Sequence, residues 1–287
     1  HRRPASVFGL AKRLANRPAG RAGGPPATME AMASEQTAAT VWDEQSLRNP
    51  HEADDKARRV EAMFDAIAPT YERVNRVATF GMDAAWRRRA IASTRPQAGE
   101  VVLDVCCGTG DMIREFARQQ PKLGHIIGLD FSGPMLAAGR YPDMPTPYTL
   151  VRADGLRLPL RDASVDIVSC AFGVRNFQRL ADGLNEMGRV VRPGGRVAIL
   201  EFANPENPAL RWGYRLYCET ILPRLGAWIA RDRVGAYKYL PKSIETFETR
   251  RSMCEKLTRA GFGNVRAQGM NMGGVVLYTG VRAAGAN

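Results

Sequence analysis

The sequence predicts an α/β fold: a doubly wound, Rossmann-like sheet with an antiparallel edge, preceded by helices and carrying a helical insertion late in the chain. Three observations predict it. Short, mostly apolar runs of strand length alternate with helix-length segments between residues 101 and 202, the pattern of a sheet buried on both faces. The first of these runs passes directly into a glycine turn and then a helix, the opening half of a nucleotide-binding crossover. The last two strand-length segments, Val265 to Gly269 and Val275 to Val281, read as a hairpin about Asn271 to Gly274.

Composition bounds the class. A chain of 287 residues, 45% hydrophobic and 24% charged, has the make-up of a globular protein able to bury a sizeable core. Its apolar stretches fall short of the roughly 20 residues that span a bilayer. The five cysteines contain no C-x-x-C pair and the three histidines (His1, His51, His125) are scattered. Neither a metal site nor a disulfide framework is expected, and a reducing compartment is the simplest inference.

The formal charge of +12 invites a nucleic-acid reading, but its location argues otherwise. Arg2, Arg3, Lys12, Arg13, Arg17 and Arg21 lie among residues 1–28, which hold no acid. That segment is rich in Ala, Gly and Pro and reads as a non-structural tail. It is either a transit peptide, since Arg-rich and acid-poor composition fits one, or upstream sequence before Met29 or Met32. The expected division is therefore a basic, disordered segment over 1–53 and a folded domain over 54–287, with 41–60 as a solvated lead-in.

From Asp54 the pattern turns helical, with Val60, Met63, Phe64 and Ile67 on one face and Pro69 as the stop. A second helix runs through Trp86 to Ile91. Val101 to Val105 is the first strand, followed by Cys106-Cys107-Gly108-Thr109-Gly110-Asp111 and a helix from Met112 to Arg118. His125 to Asp130, Tyr148 to Val151, Val165 to Ala171 and Arg196 to Phe202 are the next four strands. A helix from Leu180 to Val191 is expected to end at the Pro193-Gly194-Gly195 turn. Phe247 to Ala260 is the last helix, closed by Gly261. Val265 to Gly269 and Val275 to Val281 make the closing hairpin.

The strand ends carry the chemistry. Gly108 and Gly110 allow a tight turn and close approach to a ligand, where a Cβ would collide. Asp130 ends the second strand 20 residues beyond Gly110, where a carboxylate accepts hydrogen bonds from ribose hydroxyls. Dinucleotide enzymes share that device, but here Ile113 stands where they need a third glycine. Asp104 just before the turn suits the cationic methionine end of S-adenosylmethionine and repels a pyrophosphate. Asp154, with Gly155, follows the third strand where an adenine amino group would be read. S-adenosylmethionine is therefore the expected cofactor, with an NAD-dependent oxidoreductase as the alternative.

At these residues a family resemblance emerges. The chain resembles the ubiquinone/menaquinone biosynthesis C-methyltransferases (UbiE/MenG) from about Ala62 to Val281. The narrowest features are Phe172-Gly173-Val174-Arg175-Asn176-Phe177, then Arg189 to Arg196 leading to Leu200-Glu201-Phe202. Leu222-Pro223-Arg224-Leu225-Gly226, Tyr237 to Leu240 with Ser243-Ile244, and Tyr71, Asn75, Phe80, Gly81 and Trp86 add to these. The resemblance implies a class I S-adenosylmethionine-dependent methyltransferase with cofactor contacts at Thr109, Asp130, Asp154 and Gly155. It also exposes departures: Ala171 replaces a cofactor-binding serine, and Glu72, Val74, Thr79 and Asp83 replace an Asp, a Met, a Ser and a His.

For such a reaction a quinol ring carbon must be made nucleophilic by loss of a ring-hydroxyl proton, so a base or a phenolate-stabilising cation is needed. Arg175, at the end of the fourth strand, is the candidate cation, or it orients a water; arginine is a poor base. Asn176 is expected to orient the ring hydroxyl. Asp83, Glu201 and Tyr237 are candidate proton acceptors.

The long segment 204–243 is expected to form a helical cap. Trp212, Tyr214, Tyr217, Ile221, Leu222, Trp228, Ile229, Tyr237 and Tyr239 would then wall an apolar cavity with the N-terminal helices. Partners follow from that expectation: a lipid-tailed quinol, peripheral membrane contact, a homodimer or quinone-biosynthesis complex, and no nucleic acid. The expected location is the cytoplasm, or an organelle matrix if residues 1–28 are a transit peptide. An RNA methyltransferase and a non-catalytic cofactor-binding subunit are the remaining alternatives. The first requires stacking aromatics along a basic groove, and the second has no use for Arg175-Asn176.

Overall fold

The computed structural model describes residues 41–44, 46–119, 122–141, 144–217, 220 and 234–284. The chain divides into two compact units, and the described residues all belong to the second, Thr40–Asn287. The basic tail, residues 1–28, lies outside the described residues.

Seven strands form one sheet: β1 Val101–Val105, β2 His125–Asp130, β3 Tyr148–Arg152, β4 Val165–Ala171, β5 Val191–Phe202, β6 Phe262–Met270 and β7 Val275–Arg282. Their order is β3-β2-β1-β4-β5-β7-β6. The first five strands pair in parallel, and β7 runs antiparallel to both β5 and β6, so the closing hairpin forms one edge. Strand order reverses between β1 and β4, the switch point at which open α/β sheets bind ligands.

The core sits on both faces of this sheet, as its near-continuous apolar strands require. Successive side chains of a strand point to opposite faces. Val102 and Ile126 accordingly join one buried cluster with Phe116, Trp86 and Ile91. Leu103 and Ile127 join the other with Val168, Met187 and Leu257. The helices on those faces are α3 Asp83–Thr94 and α4 Asp111–Ala117 on one side, and α6 Leu180–Val190 and α9 Arg250–Arg259 on the other. They were preceded or separated by α1 Lys56–Ile67, α2 Tyr71–Ala78, α5 Gly133–Ala138, α7 Pro208–Leu216 and α8 Ala236–Glu245.

Several expectations are corrected. Two helices, not one, follow Pro69: α2 and α3 are separated by Phe80 and Gly81, both at positive φ. Pro193-Gly194-Gly195 does not stop the chain. It lies inside β5, where the pairing shifts between Val165↔Val191 and Ile167↔Arg196, and Gly194 takes φ +77 to carry the extra residues as a bulge. The last helix starts later than Phe247 because the Thr249 side chain accepts the Ser252 N–H at 3.2 Å and caps it.

The lead-in expected to be solvated over 41–60 is partly buried. Trp42 is 1% exposed and stacks on Tyr239 with ring centroids 4.4 Å apart. A third buried cluster gathers Trp42 with Val60, Met63 and Ile67 of α1, Val74 of α2, and Tyr237 and Tyr239 of α8. Folded structure therefore begins before residue 54. Of the expected cap, α8 buries its aromatics, whereas α7 buries no residue and leaves Trp212 70% exposed. Ile221, Leu222, Trp228 and Ile229 lie outside the described residues, as does Leu222 to Gly226.

Candidate functional site

Asp104 sits on β1 opposite Ser169 of β4 in the parallel register. Facing side chains on one sheet face meet, and the Ser169 hydroxyl donates to Asp104 Oδ1 at 2.7 Å. The second carboxylate oxygen, Oδ2, is buried and has no hydrogen-bond partner. Burial pushes the Asp104 carboxyl up to about 7, against the pull of the Ser169 hydrogen bond. A buried, half-satisfied carboxylate is a site that a cationic donor completes.

The glycine turn follows directly. Cys106 (φ +57), Gly108 (+54) and Gly110 (+85) all adopt left-handed backbone, so the chain folds sharply from β1 into α4. A Cβ on Gly110 would lie 2.4 Å from Tyr141 Cε1. Gly110→Ala is therefore expected to add about 1–2 kcal/mol of backbone strain and to push Tyr141 off the turn. Thermal unfolding should register the first effect, and a cofactor titration should show at least a roughly tenfold loss of affinity from the second.

The turn is tied to β2 through Asp130, whose Oδ2 accepts the Gly108 N–H at 2.8 Å and whose Oδ1 accepts the Ser132 N–H at 2.9 Å. Burial raises the Asp130 carboxyl to about 6, and these backbone hydrogen bonds oppose the rise. Thr109 is buried within the turn. Asp130, Asp154, Gly155 and Cys106 line one cleft of about 470 Å³, so the acids that end β2 and β3 face a common space. A Cβ on Gly155 would come 2.9 Å from Phe177 Cε1, so any larger residue there would have to displace that ring.

Arg175 lies in a 3-10 turn, Val174–Asn176, just beyond β4. Its Nη1 donates to Glu201 Oε1 and to the Phe172 carbonyl, each at 2.7 Å, and its Nε reaches Ser243 Oγ at 3.4 Å. None of these bonds uses Nη2. Glu201 is fully buried and also accepts the Arg175 N–H at 3.2 Å. Burial tends to lower the Arg175 pKa, but the Glu201 charge and hydrogen bond, together with Tyr239 and Tyr71, outweigh it and hold the guanidinium above its ordinary value. The Arg175 and glycine turns touch at Gly173, where a Cβ would stand 2.5 Å from Cys106 Cβ.

Arg175 lines a pocket walled by Phe64, Tyr71, Phe172, Phe202 and Tyr237, with Asp83 also at its wall. The pocket is narrow, about 50 Å³, against the roughly 150 Å³ that holds a benzene ring elsewhere.

The expected site residues thus fall into two neighbouring groups. Asp130, Asp154 and Gly155 line the first cleft, while Asp104 on β1 and Gly108, Thr109 and Gly110 of the turn lie outside its lining, the turn tied to Asp130 by the Gly108 N–H. Arg175, Asp83 and Tyr237 surround the second pocket. Asn176 departs from its expected place: it lines the first cleft, and its Oδ1 accepts the Tyr239 hydroxyl at 2.9 Å. Asp83 and Glu201 are ill suited as proton acceptors. Asp83 is bound by Arg87 through one oxygen and by the Thr79 hydroxyl (3.1 Å) through the other, and Glu201 is spent on Arg175. Sequence reasoning from single residues missed Ser169, Tyr141 and Lys56. Only the strand register and the burial of α1 reveal them.

A family model described as the ubiE/COQ5 methyltransferase family matches residues 52–282. The chain belongs to this family. A ubiquinone/menaquinone biosynthesis C-methyltransferase UbiE from Geobacter sulfurreducens is 39% identical over 230 residues, spanning 79% of this chain and 89% of the relative. A demethylmenaquinone methyltransferase from Deinococcus radiodurans is 40% identical over 210 residues, spanning 72% and 86%. Among solved structures, a SAM-dependent methyltransferase from Thermotoga maritima superposes with a TM-score of 0.54 at 18% identity over 77% of this chain and 99% of its own. A chain of the Haloferax volcanii complex between the Trm112 methyltransferase activator and a methyltransferase gives 0.56 at 20% identity, covering 77% and 98%. These two establish the fold, that of the class I SAM-dependent methyltransferases. For this ubiE/COQ5 family member, the alternative of an NAD-dependent oxidoreductase falls away. Among the described residues no cluster of His, Cys, Asp or Glu could hold a metal ion, and no helix is long and apolar enough to cross a membrane.

Proposed function

We propose that this enzyme methylates a ring carbon of a polyprenyl quinol, with demethylmenaquinol as the preferred acceptor and S-adenosylmethionine as the donor. The observation that carries the reading is Arg175: a buried guanidinium with Nη2 outside its hydrogen bonds, at the wall of an aromatic pocket and one strand away from a half-satisfied carboxylate and a glycine turn. The names of the relatives, which act in ubiquinone or menaquinone biosynthesis, support the same substrate class.

S-adenosylmethionine supplies an electrophilic methyl group when bound. The orphaned Asp104 Oδ2 suits its cationic end, and Asp130, Asp154 and Gly155 suit its adenosine. The turn at Gly108, Thr109 and Gly110 gives the backbone close approach. In the second pocket, Arg175 stabilises the ring oxygen as its proton leaves, directly or by orienting a water. Phe64, Phe172 and Phe202 exclude bulk solvent and hold the ring by its faces.

The quinol tail makes contact with an anionic lipid surface part of the same proposal. Val77 of α2 and Phe80 and Met82 between α2 and α3 are exposed, as are Trp212 and Leu216 of α7. The two elements meet where the Tyr217 hydroxyl donates to the Ala78 carbonyl at 2.8 Å. Arg73, Arg76 and Arg211 stand on the same helices, so apolar and basic groups are interleaved as an interfacial surface requires. A homodimer or a quinone-biosynthesis complex remains a further proposal on partners.

The test uses radiolabelled S-adenosylmethionine with two reduced acceptors, a demethylmenaquinol and a methoxy-polyprenyl-benzoquinol, in anionic vesicles. Label should enter the lipid extract, more from the naphthoquinol. Cofactor binding with neither acceptor labelled would overturn the quinol assignment. Failure to sediment with the vesicles at low salt would remove the membrane contact.

A further inference from the structure

The chain ahead of the sheet contains a buried cation that the proposed chemistry leaves unused. Lys56, in the first turn of α1, is 2% exposed. Its Nζ donates to the Arg175 carbonyl at 2.9 Å and the Phe177 carbonyl at 2.6 Å, and it lies 3.1 Å from His51 Nδ1. Three acceptors meet the three protons of an ammonium, whereas a neutral amine could serve only two of them. Burial lowers Lys56 to about 8, helped by Arg175 and opposed by Glu201.

Because His51 Nδ1 faces an ammonium it must accept, so Nε2 carries the ring proton and donates to the Ser243 carbonyl at 2.9 Å. Burial first, and the Lys56 charge second, hold His51 down at about 4, with Arg175 lowering it and Glu248 raising it to a lesser degree. His51 is therefore a neutral bridge from Lys56 to α8, and the hydroxyl of that same Ser243 accepts from Arg175 Nε.

Two further ties end at the same turn. Gln178 accepts the Ala57 N–H at 2.8 Å and donates to the Ala53 carbonyl at 2.9 Å. Trp42 stacks on Tyr239, whose hydroxyl donates to Asn176, and Arg59 lies over the Trp42 ring while donating to the Val41 carbonyl at 2.7 Å. Every strap between 41 and 59 that crosses to this region thus fixes the backbone or a side chain of residues 174–178.

We infer that Lys56, bridged by His51, is a positioning residue that sets the Arg175–Asn176 turn between the cofactor cleft and the ring pocket. The segment from Trp42 to Lys56 is then part of the catalytic module. Glu201 neutralises only one of the two buried cations, Arg175 and Lys56, which leaves the turn positive where a ring oxygen is to lose its proton. The inference rests on the quinol reading for its kinetic consequence but not for its structural one.

Three variants of the full chain test it: Lys56→Met, His51→Leu and His51→Gln. Misplacement of a reacting group by about 1 Å costs on the order of 100-fold, so Lys56→Met and His51→Leu should lower kcat by about 10- to 100-fold with cofactor affinity and acceptor KM within about 3-fold. Glutamine at 51 keeps one donor and one acceptor and should recover most of the rate. The wild-type rate should fall as pH rises through about 8, and Lys56→Met should lack that alkaline loss. Independently of turnover, amide exchange at Val174 to Gln178 should quicken at least about tenfold in Lys56→Met and His51→Leu while β1 to β3 keep wild-type protection. Unchanged exchange at the turn, or equal losses in His51→Leu and His51→Gln, would overturn the inference. An inactive wild type with quickened exchange in the variants would sink the quinol reading alone.

Discussion

Arg175→Met is expected to lower kcat for quinol methylation by about 10²- to 10⁴-fold, the range for removing a group that manages a proton or a developing oxyanion. Cofactor affinity should change little, because Arg175 lines the ring pocket and the acids of the cofactor cleft lie on other strands. The substitution also strands Glu201, a fully buried carboxylate whose cationic partner is Arg175. Leaving such a charge unpaired costs roughly 3–5 kcal/mol, so the single variant should unfold at lower temperature and its loss of rate would be ambiguous alone. Arg175→Met combined with Glu201→Gln removes both charges. The double variant should regain much of the stability and none of the rate. Recovery of turnover in the double variant would show that Arg175 serves the fold and that the proton is handled elsewhere.

Asp104→Asn is expected to weaken S-adenosylmethionine binding by roughly 10- to 100-fold, the worth of a buried charge-assisted hydrogen bond, while making the ligand-free protein more stable at neutral and alkaline pH. Both effects have one cause. Burial raises the Asp104 carboxyl from 3.8 to about 7, so the folded, ligand-free state holds a proton that the unfolded chain has released. Stability therefore declines as pH rises from the ordinary carboxylate range through about 7 and is level above it. The full cost corresponds to roughly 4 kcal/mol, an upper limit on what asparagine can restore. Binding runs the other way: a cation favours the ionised carboxylate, so wild-type affinity should fall up to about tenfold per pH unit below about 7. The variant should show no such slope. Thermal unfolding and calorimetric titration from pH 5 to 9 read both. A pH-independent wild-type affinity would mean that Asp104 does not meet the cation.

The sheet was legible because a parallel strand buried on both faces is mostly apolar, and β1, β2 and β4 span the runs that this pattern marks, with Asp104, Asp130 and Asp166 as acidic exceptions. Element boundaries failed where tertiary pairing overrode a local signal. Gly194 reads as a stop, yet pairing with β4 on both sides of it carries the chain through as a bulge. The lead-in at 41–60 reads as solvated because its residues are mostly polar and charged. A single tryptophan at 42, with a ring to stack on, decides its burial.

The site divides along the same line. Glycines at 108 and 110, and acids at 104, 130 and 154, sit at strand ends in one contiguous crossover pattern. Local chain geometry brings them to the carboxyl ends of the neighbouring strands β1, β2 and β3, so the sequence by itself determined that they lie together. The acceptor side draws on residues far apart in the chain: Lys56, Asp83, Arg175, Glu201 and Ser243. Which of these is a free group and which is spent depends on partners that no spacing reveals. The tertiary structure alone showed Glu201 and Asp83 already paired with arginines, Asn176 turned toward the cofactor cleft, and Lys56 buried against the Arg175 backbone. The physical reason is that a buried charge or polar group takes its chemistry from whatever neutralises it, and that neighbour is chosen by packing across the sheet rather than along the chain.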